Sequence, residues 1–138
     1  MAPVSAHDVA RELRGRLPGL GAVGLHKLLY YCQGWHLAHT GRVLFSEPVE
    51  AWANGPVVAS LWRCEAHEDR PRPERRILEP EALATVGYVV SRYGNLTPQQ
   101  LIDLTHEEDP WRDVSLSNDE SFDQRITVED MQLFFESE

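Results

Sequence analysis

The run from Leu25 to Gly41, LHKLLYYCQGWHLAHTG, constrains the fold more than any other stretch of the chain. At about 3.6 residues per turn it makes roughly four turns of helix. Winding it places Leu25, Leu28, Leu29, Tyr31, Cys32, Trp35 and Ala38 on one broad apolar arc, with His26, Gln33 and Thr40 on the other side. An arc wider than one stripe must be covered by several neighbours. The expected fold is therefore mainly α: a compact multi-helix domain around a central helix at about residues 23–41, with a small β-hairpin or short sheet. Gly41 is placed to close the helix in the left-handed conformation.

The flanking segments supply the neighbours. His7 to Leu17 reads as a first helix, with Val9, Leu13 and Leu17 on one face, Ser5 as cap and Asp8 in its first turn. Val43-Leu44-Phe45 is a short extended run. After Ser46-Glu47-Pro48, Val49, Ala51 and Ala53 alternate with Glu50 and Trp52, the period of a strand. Asn54-Gly55 turns the chain, and Pro56 suits the first position of a third helix, Pro56 to about His67, burying Val57, Val58, Leu61 and Cys64. His67 to Arg76 reads as an exposed loop, and Ile77-Leu78 as a short strand pairing with the earlier β element. Pro80 opens a helix to Tyr93, with Leu83, Val86, Val89 and Val90 inward. Thr97-Pro98-Gln99-Gln100 is a capping box starting a helix to about Thr105, with Leu101, Ile102 and Leu104 inward. His106 to Gln124 reads as an irregular acidic stretch anchored by Trp111. Arg125-Ile126 adds a strand residue or two, and Thr127 caps a last helix with Met131, Phe134 and Phe135 as its apolar face.

The 138 residues are expected to form a single domain, 1–138, large enough to bury a core without metal or disulfide staples. No run of about 18 apolar residues occurs, and the N-terminus has no apolar signal core, so a cytoplasmic protein is expected. Cys32 and Cys64 are then buried thiols. The net charge of -9 is concentrated at one end: residues 101–138 hold twelve acids against Arg112 and Arg125. Such an end repels phosphate and attracts a basic protein, which argues against direct nucleic-acid binding.

Candidate chemistry is sparse. His36 and His39 lie one turn apart and, with His106, Glu107 or Glu108, are spaced to hold a metal, but no dense ligand motif completes the set. His106 and Glu107 offer a base and a carboxylate, yet adjacent side chains diverge on a helix, and a histidine there suits helix capping. Asn54-Gly55-Pro56 reads as a turn and not an anion site. No phosphate-loop, dinucleotide or nucleophile-elbow motif is present. The expectation is no catalytic residue, no cofactor, no metal and no enzymatic activity, with a small metal-dependent enzyme using His36, His39 and His106 as an alternative. Trp62, followed by Arg63, is a candidate surface anchor for a protein partner, beside the acids Glu107, Glu108, Asp109 and Asp113.

Three stretches, KLLYYCQGWHLA (27–38), LFSEPVEAWANGPVV (44–58) and YGNLTPQQLIDLTHEEDPW (93–111), resemble in order and spacing the Panacea domain of Soc-type antitoxins, a family also labelled phage-associated protein. The likeness extends over roughly residues 6–137. It implies a helical domain with a small β element and a bacterial antitoxin of a toxin–antitoxin system. The implied action is neutralisation of a cognate toxin by direct contact, with toxins of unrelated chemistry serving different members. A proteolytic adaptor that delivers a bound partner to a protease is an alternative reading, apart from what the resemblance implies. The shared positions Leu28, Leu29, Trp35, Trp52, Gly55, Pro56 and Trp111 are core and turn residues, which specify the fold and not the partner. Cys32, Ala59 and the segment after Trp111 depart from the family pattern.

Overall fold

A computed structural model describes residues 4–67, 70–116 and 124–138. The described elements are α1 (Ala6–Arg16), α2 (Ala22–Thr40), β1 (Val49–Trp52), β2 (Gly55–Val58), α3 (Ala59–Ala66), α4 (Pro80–Tyr93), α5 (Pro98–His106), α6 (Asp109–Leu116), β3 (Arg125–Ile126) and α7 (Val128–Glu136). The protein is mainly helical, with one short antiparallel sheet in the order β2-β1-β3.

Helix α2 runs through the middle, as its broad arc requires, and Gly41 ends it at φ 73°. Its burial is more complete than the arc implies: every residue from Gly24 to Leu37 is buried, including the polar His26, Lys27 and Gln33. Each of these meets backbone groups of a distant segment. Gln33 Nε2 donates to the Phe45 carbonyl (2.7 Å), while its Oε1 accepts from the Leu44 N–H (2.7 Å). The extended run 43–45 is thus held by one side chain, and Phe45 also bridges to Val4. His26 Nδ1 accepts from the Val58 N–H (3.1 Å), and Lys27 Nζ donates to the Pro56 carbonyl (3.2 Å).

Helices α1, α4, α5 and α7 and strand β2 cover α2. The cap signals act as read: Ser5 with Asp8, and Thr97 with Gln100, form reciprocal capping boxes, and Thr127 accepts from the Asp130 N–H. Asp8 also accepts from the Arg76 N–H (2.9 Å), which pins the loop before α4 to α1.

The structure corrects four expectations. Pro56 lies in β2 and not in a helix; β1 and β2 form a hairpin pairing Trp52 with Gly55 and Val49 with Val58, and α3 begins only at Ala59. Proline is tolerated there because β2 is an edge strand. Ile77-Leu78 is not a strand: Ile77 is 91% exposed, Leu78 tucks into the core, and the third strand is Arg125–Ile126. The stretch after His106 is not irregular throughout, since α6 occupies Asp109–Leu116. Its remainder, 117–123, lies outside the described residues, as do residues 68 and 69 of the predicted loop. Leu83, Val90, Leu104 and Phe134 are partly buried and pack against the core as expected, whereas Ile102, also expected inward, is partly buried outside that packing.

Gly55, at φ 109°, combines two demands. The backbone there is left-handed, and a Cβ would come within 2.8 Å of both Lys27 Cε and Thr105 Oγ1. The hairpin therefore closes directly onto α2 and α5.

Candidate interaction surface

The hairpin presents Trp52, half-buried on β1, to the neighbouring helices. Its ring lies 6.0 Å from that of Trp62 on α3, edge to face, and the Arg63 guanidinium stands 5.9 Å from its centroid. Trp52 Nε1 donates to Glu50 Oε1 (3.0 Å). Trp62 is itself half-buried, with His26 5.2 Å away, so it is anchored from below while Arg63 stays exposed. The Trp52 carbonyl accepts from Trp111 Nε1 on α6 (2.8 Å), and His106 stacks on the Trp111 ring at 3.9 Å. One continuous aromatic set thus joins Trp62 and Arg63 to the acid-bearing junction of α5 and α6.

At that junction Glu107, Asp109 and Asp113 are exposed, and Asp109 pairs with Arg112 (2.5 Å). Glu108 parts from them. Its side chain turns inward, where Oε1 accepts from the Tyr31 hydroxyl (3.0 Å). Burial lifts its carboxyl to about 7, against the opposing effect of the Tyr31 hydrogen bond. It lines a cavity of about 260 Å³ with Trp35, Tyr93, Leu104, Phe134 and Phe135. Trp35 Nε1 donates to Tyr93 Oη (2.8 Å), and Tyr93 stacks on Tyr31 at 3.9 Å, so two walls of this cavity are fixed to each other and to α2. Of the six residues proposed from sequence as one contact set, Trp62 and Arg63 meet Trp52, which Trp111 joins to the helix junction where Glu107, Asp109 and Asp113 are exposed, and Glu108 belongs to a separate hollow.

The histidines go to separate neighbours. His36 Nδ1 lies 2.8 Å from Thr85 Oγ1 and its Nε2 3.7 Å from Glu81 Oε1; burial holds its pKa below the ordinary range. The His39 ring packs on Trp35 and Tyr88. His106 stacks on Trp111 and its Nε2 is buried without a hydrogen-bond partner, so it does not cap the helix end as expected. Among the described residues no three His, Cys, Asp or Glu side chains gather as a metal-ion group. Burial holds His26 down at about 4, with the Lys27 charge adding to the effect, so it is neutral. Cys32 and Cys64 are free, buried thiols. A larger open cleft beside His36 carries Arg42, Arg75 and Arg76 with Glu79 and Glu81. Both signs of charge meet there and no chemistry converges.

A family model described as antitoxin SocA-like, Panacea domain, matches residues 25–112. The chain belongs to this family. No curated protein and no solved structure matches it. The Panacea match opens inside α2 and closes inside α6, so it takes in Trp35, Trp52, Gly55, Pro56 and Trp111 and is shorter than the likeness over residues 6–137 expected from sequence. Membership in an antitoxin-like family supports an antitoxin role in general and a protein as partner, and it points away from enzymatic work. Among the described residues no helix is long and apolar enough to cross a membrane.

Proposed function

We propose that this Panacea domain is the antitoxin of a bacterial toxin–antitoxin pair and neutralises its cognate toxin in the cytoplasm by stoichiometric contact. The observation that carries the reading is the family match over residues 25–112. The contact face comprises Trp62 and Arg63, supported by Trp52, and the exposed acids Glu107, Asp109 and Asp113. Its physics suits a basic protein. A half-buried aromatic pair supplies desolvated anchor area, and carboxylates around it steer and orient a positively charged partner. The whole chain, 1–138, acts as one domain in this reading. The acid excess of residues 101–138 is a source of attraction over a distance of about one Debye length, roughly 8–10 Å at ordinary salt.

The test is co-expression with the product of the adjacent gene. Growth inhibited by that product alone and restored by this chain, with the two proteins co-purifying, supports the proposal. A neighbouring product that is not toxic, or that this chain neither binds nor restrains, refutes it. Trp62→Ala with Arg63→Glu is expected to weaken the complex while leaving the fold intact. Partner levels that fall only when this chain and a cellular protease are both present would reassign it as a proteolytic adaptor.

A further inference from the structure

We propose that the hollow between α2, α4, the α5–α6 junction and α7 is a receptor for one lysine side chain of the protein partner, with Glu108 meeting the ammonium and Trp35, Tyr93, Phe134 and Phe135 enclosing its stem. That the lysine belongs to a protein partner rests on the antitoxin reading; that the hollow takes an ammonium does not. The Glu108 carboxylate is mostly buried, with the Tyr31 hydroxyl donating to Oε1 at 3.0 Å and the Tyr30 hydroxyl close by. Among the described residues no arginine, lysine or histidine lies within ion-pairing distance of it. A carboxylate taken out of water with no cation in direct contact is destabilised, so the hollow favours one.

Arg92 meets this preference only from a distance. Its guanidinium donates to Tyr88 Oη (2.9 Å) and stands 4.8 Å above the Trp35 ring, so its charge is felt by Glu108 without forming an ion pair. The walls add their own preference, since aromatic faces attract cations and their apolar area suits a methylene stem. Lysine is favoured over arginine on geometry. With the Tyr31 hydroxyl already on Oε1, a guanidinium fork has to share that oxygen to bind both, whereas an ammonium needs one oxygen and a nearby hydroxyl. A hollow of about 260 Å³ also suits the slimmer side chain. Glu138 at the opening adds a second negative charge, and the acid-rich end of the chain draws basic partners toward it.

The test is a titration of the intact protein with N-acetyl-lysine methylamide, followed by two-dimensional amide and indole NMR. Saturable shifts at the Trp35 indole N–H and the Glu108 amide are expected, weaker with the arginine analogue and absent with the norleucine analogue. Glu108→Gln should lower the affinity roughly tenfold, the effect of about one lost charge pair. Arg92→Ala, at an exposed position, should raise it by removing a like charge from the rim. Equal shifts with norleucine, tighter binding of arginine, no saturable shift at all, or weaker binding by the Arg92 variant would each overturn the assignment. Because no toxin is needed, a chain that neutralises a toxin yet ignores the lysine probe fails here alone. A chain that takes the probe but rescues no cell fails only the antitoxin reading.

Discussion

Replacing Gly34 by alanine tests how closely α7 is set against the central helix. A Cβ at residue 34 would lie 2.1 Å from Phe135 Cε2, 2.3 Å from Cδ2 and 2.7 Å from Cζ. Carbon atoms rest at about 3.5–4.0 Å, so the Phe135 ring would have to withdraw by more than about 1 Å. It has little room, being 1% exposed and packed edge to face against Tyr30 at 5.5 Å, Trp35 at 5.2 Å and Phe134 at 5.1 Å. Overpacking of a tight core costs about 1–3 kcal/mol, and this displacement belongs at the upper end. Alanine recovers about 1 kcal/mol of helix propensity. The expected net loss is about 2 kcal/mol, read from urea unfolding. Combining Gly34→Ala with Phe135→Leu removes the ring edge that clashes, so the double variant should be more stable than additivity predicts by about 1 kcal/mol or more. A Gly34→Ala protein as stable as wild type, or a strictly additive pair, would refute the packing argument.

Three further outcomes follow from buried ionisable groups. Burial holds Lys27 down at about 8 from 10.5. Between those values the unfolded chain carries more protons, so stability rises with pH. Lys27→Met should therefore stabilise the protein by about 1–3 kcal/mol at pH 7, with an advantage that shrinks as pH climbs past 8; an advantage that stays constant from pH 7 to 9.5 would contradict this. Burial raises Glu108 to about 7 from 4.5, so its folded-state proton is kept longer and stability is lost as pH rises through that window. Glu108→Gln should match wild type near pH 4 and exceed it by about 1–3 kcal/mol at pH 8 in denaturant titrations. For Asp8, burial opposes ionisation, but hydrogen bonds from the Arg76 and Ser5 backbone and from the Arg11 and Ser5 side chains outweigh it and hold the carboxyl below its usual range. Its contribution is present above that range and lost on acidification, and Asp8→Ala should cost about 2–3 kcal/mol at pH 7, with little further loss as the pH falls through the carboxylate range.

Much of the helical frame was legible because its signals are local. Pro80, the Thr97–Gln100 box, Ser5 with Asp8, and Thr127 each mark a helix start by chemistry confined to one turn. The sheet was harder to read. Pro56 obeys the rule for a helix start equally well, and only the pairing of Trp52 with Gly55 makes it an edge-strand residue. Ile77-Leu78 and Arg125-Ile126 look alike as short strands, and the choice between them is made in three dimensions by Glu50 and Val49. His26 and Gln33 fall off the apolar arc and are buried nonetheless, as is Lys27, although polarity alone argues for solvent. Their partners are the backbones of Phe45, Pro56 and Val58, too distant along the chain to be guessed. At the contact face, Trp62 and Arg63 stood out by composition, whereas the carbonyl of Trp52 that joins them to Trp111 leaves no sequence trace. Glu108 differs from Glu107 only in direction, and direction is set by where α5 ends.

The family segment stops at residue 112, yet α7 lies along α2 more extensively than any other described element. A fragment cut to the shared boundaries would leave Tyr30, Tyr31 and Trp35 wetted on the flank that Phe135 now seals. Chimaeras meant to swap toxin preference between relatives should accordingly exchange surface patches within an otherwise intact chain, because the closing helix is part of the scaffold that every such patch stands on.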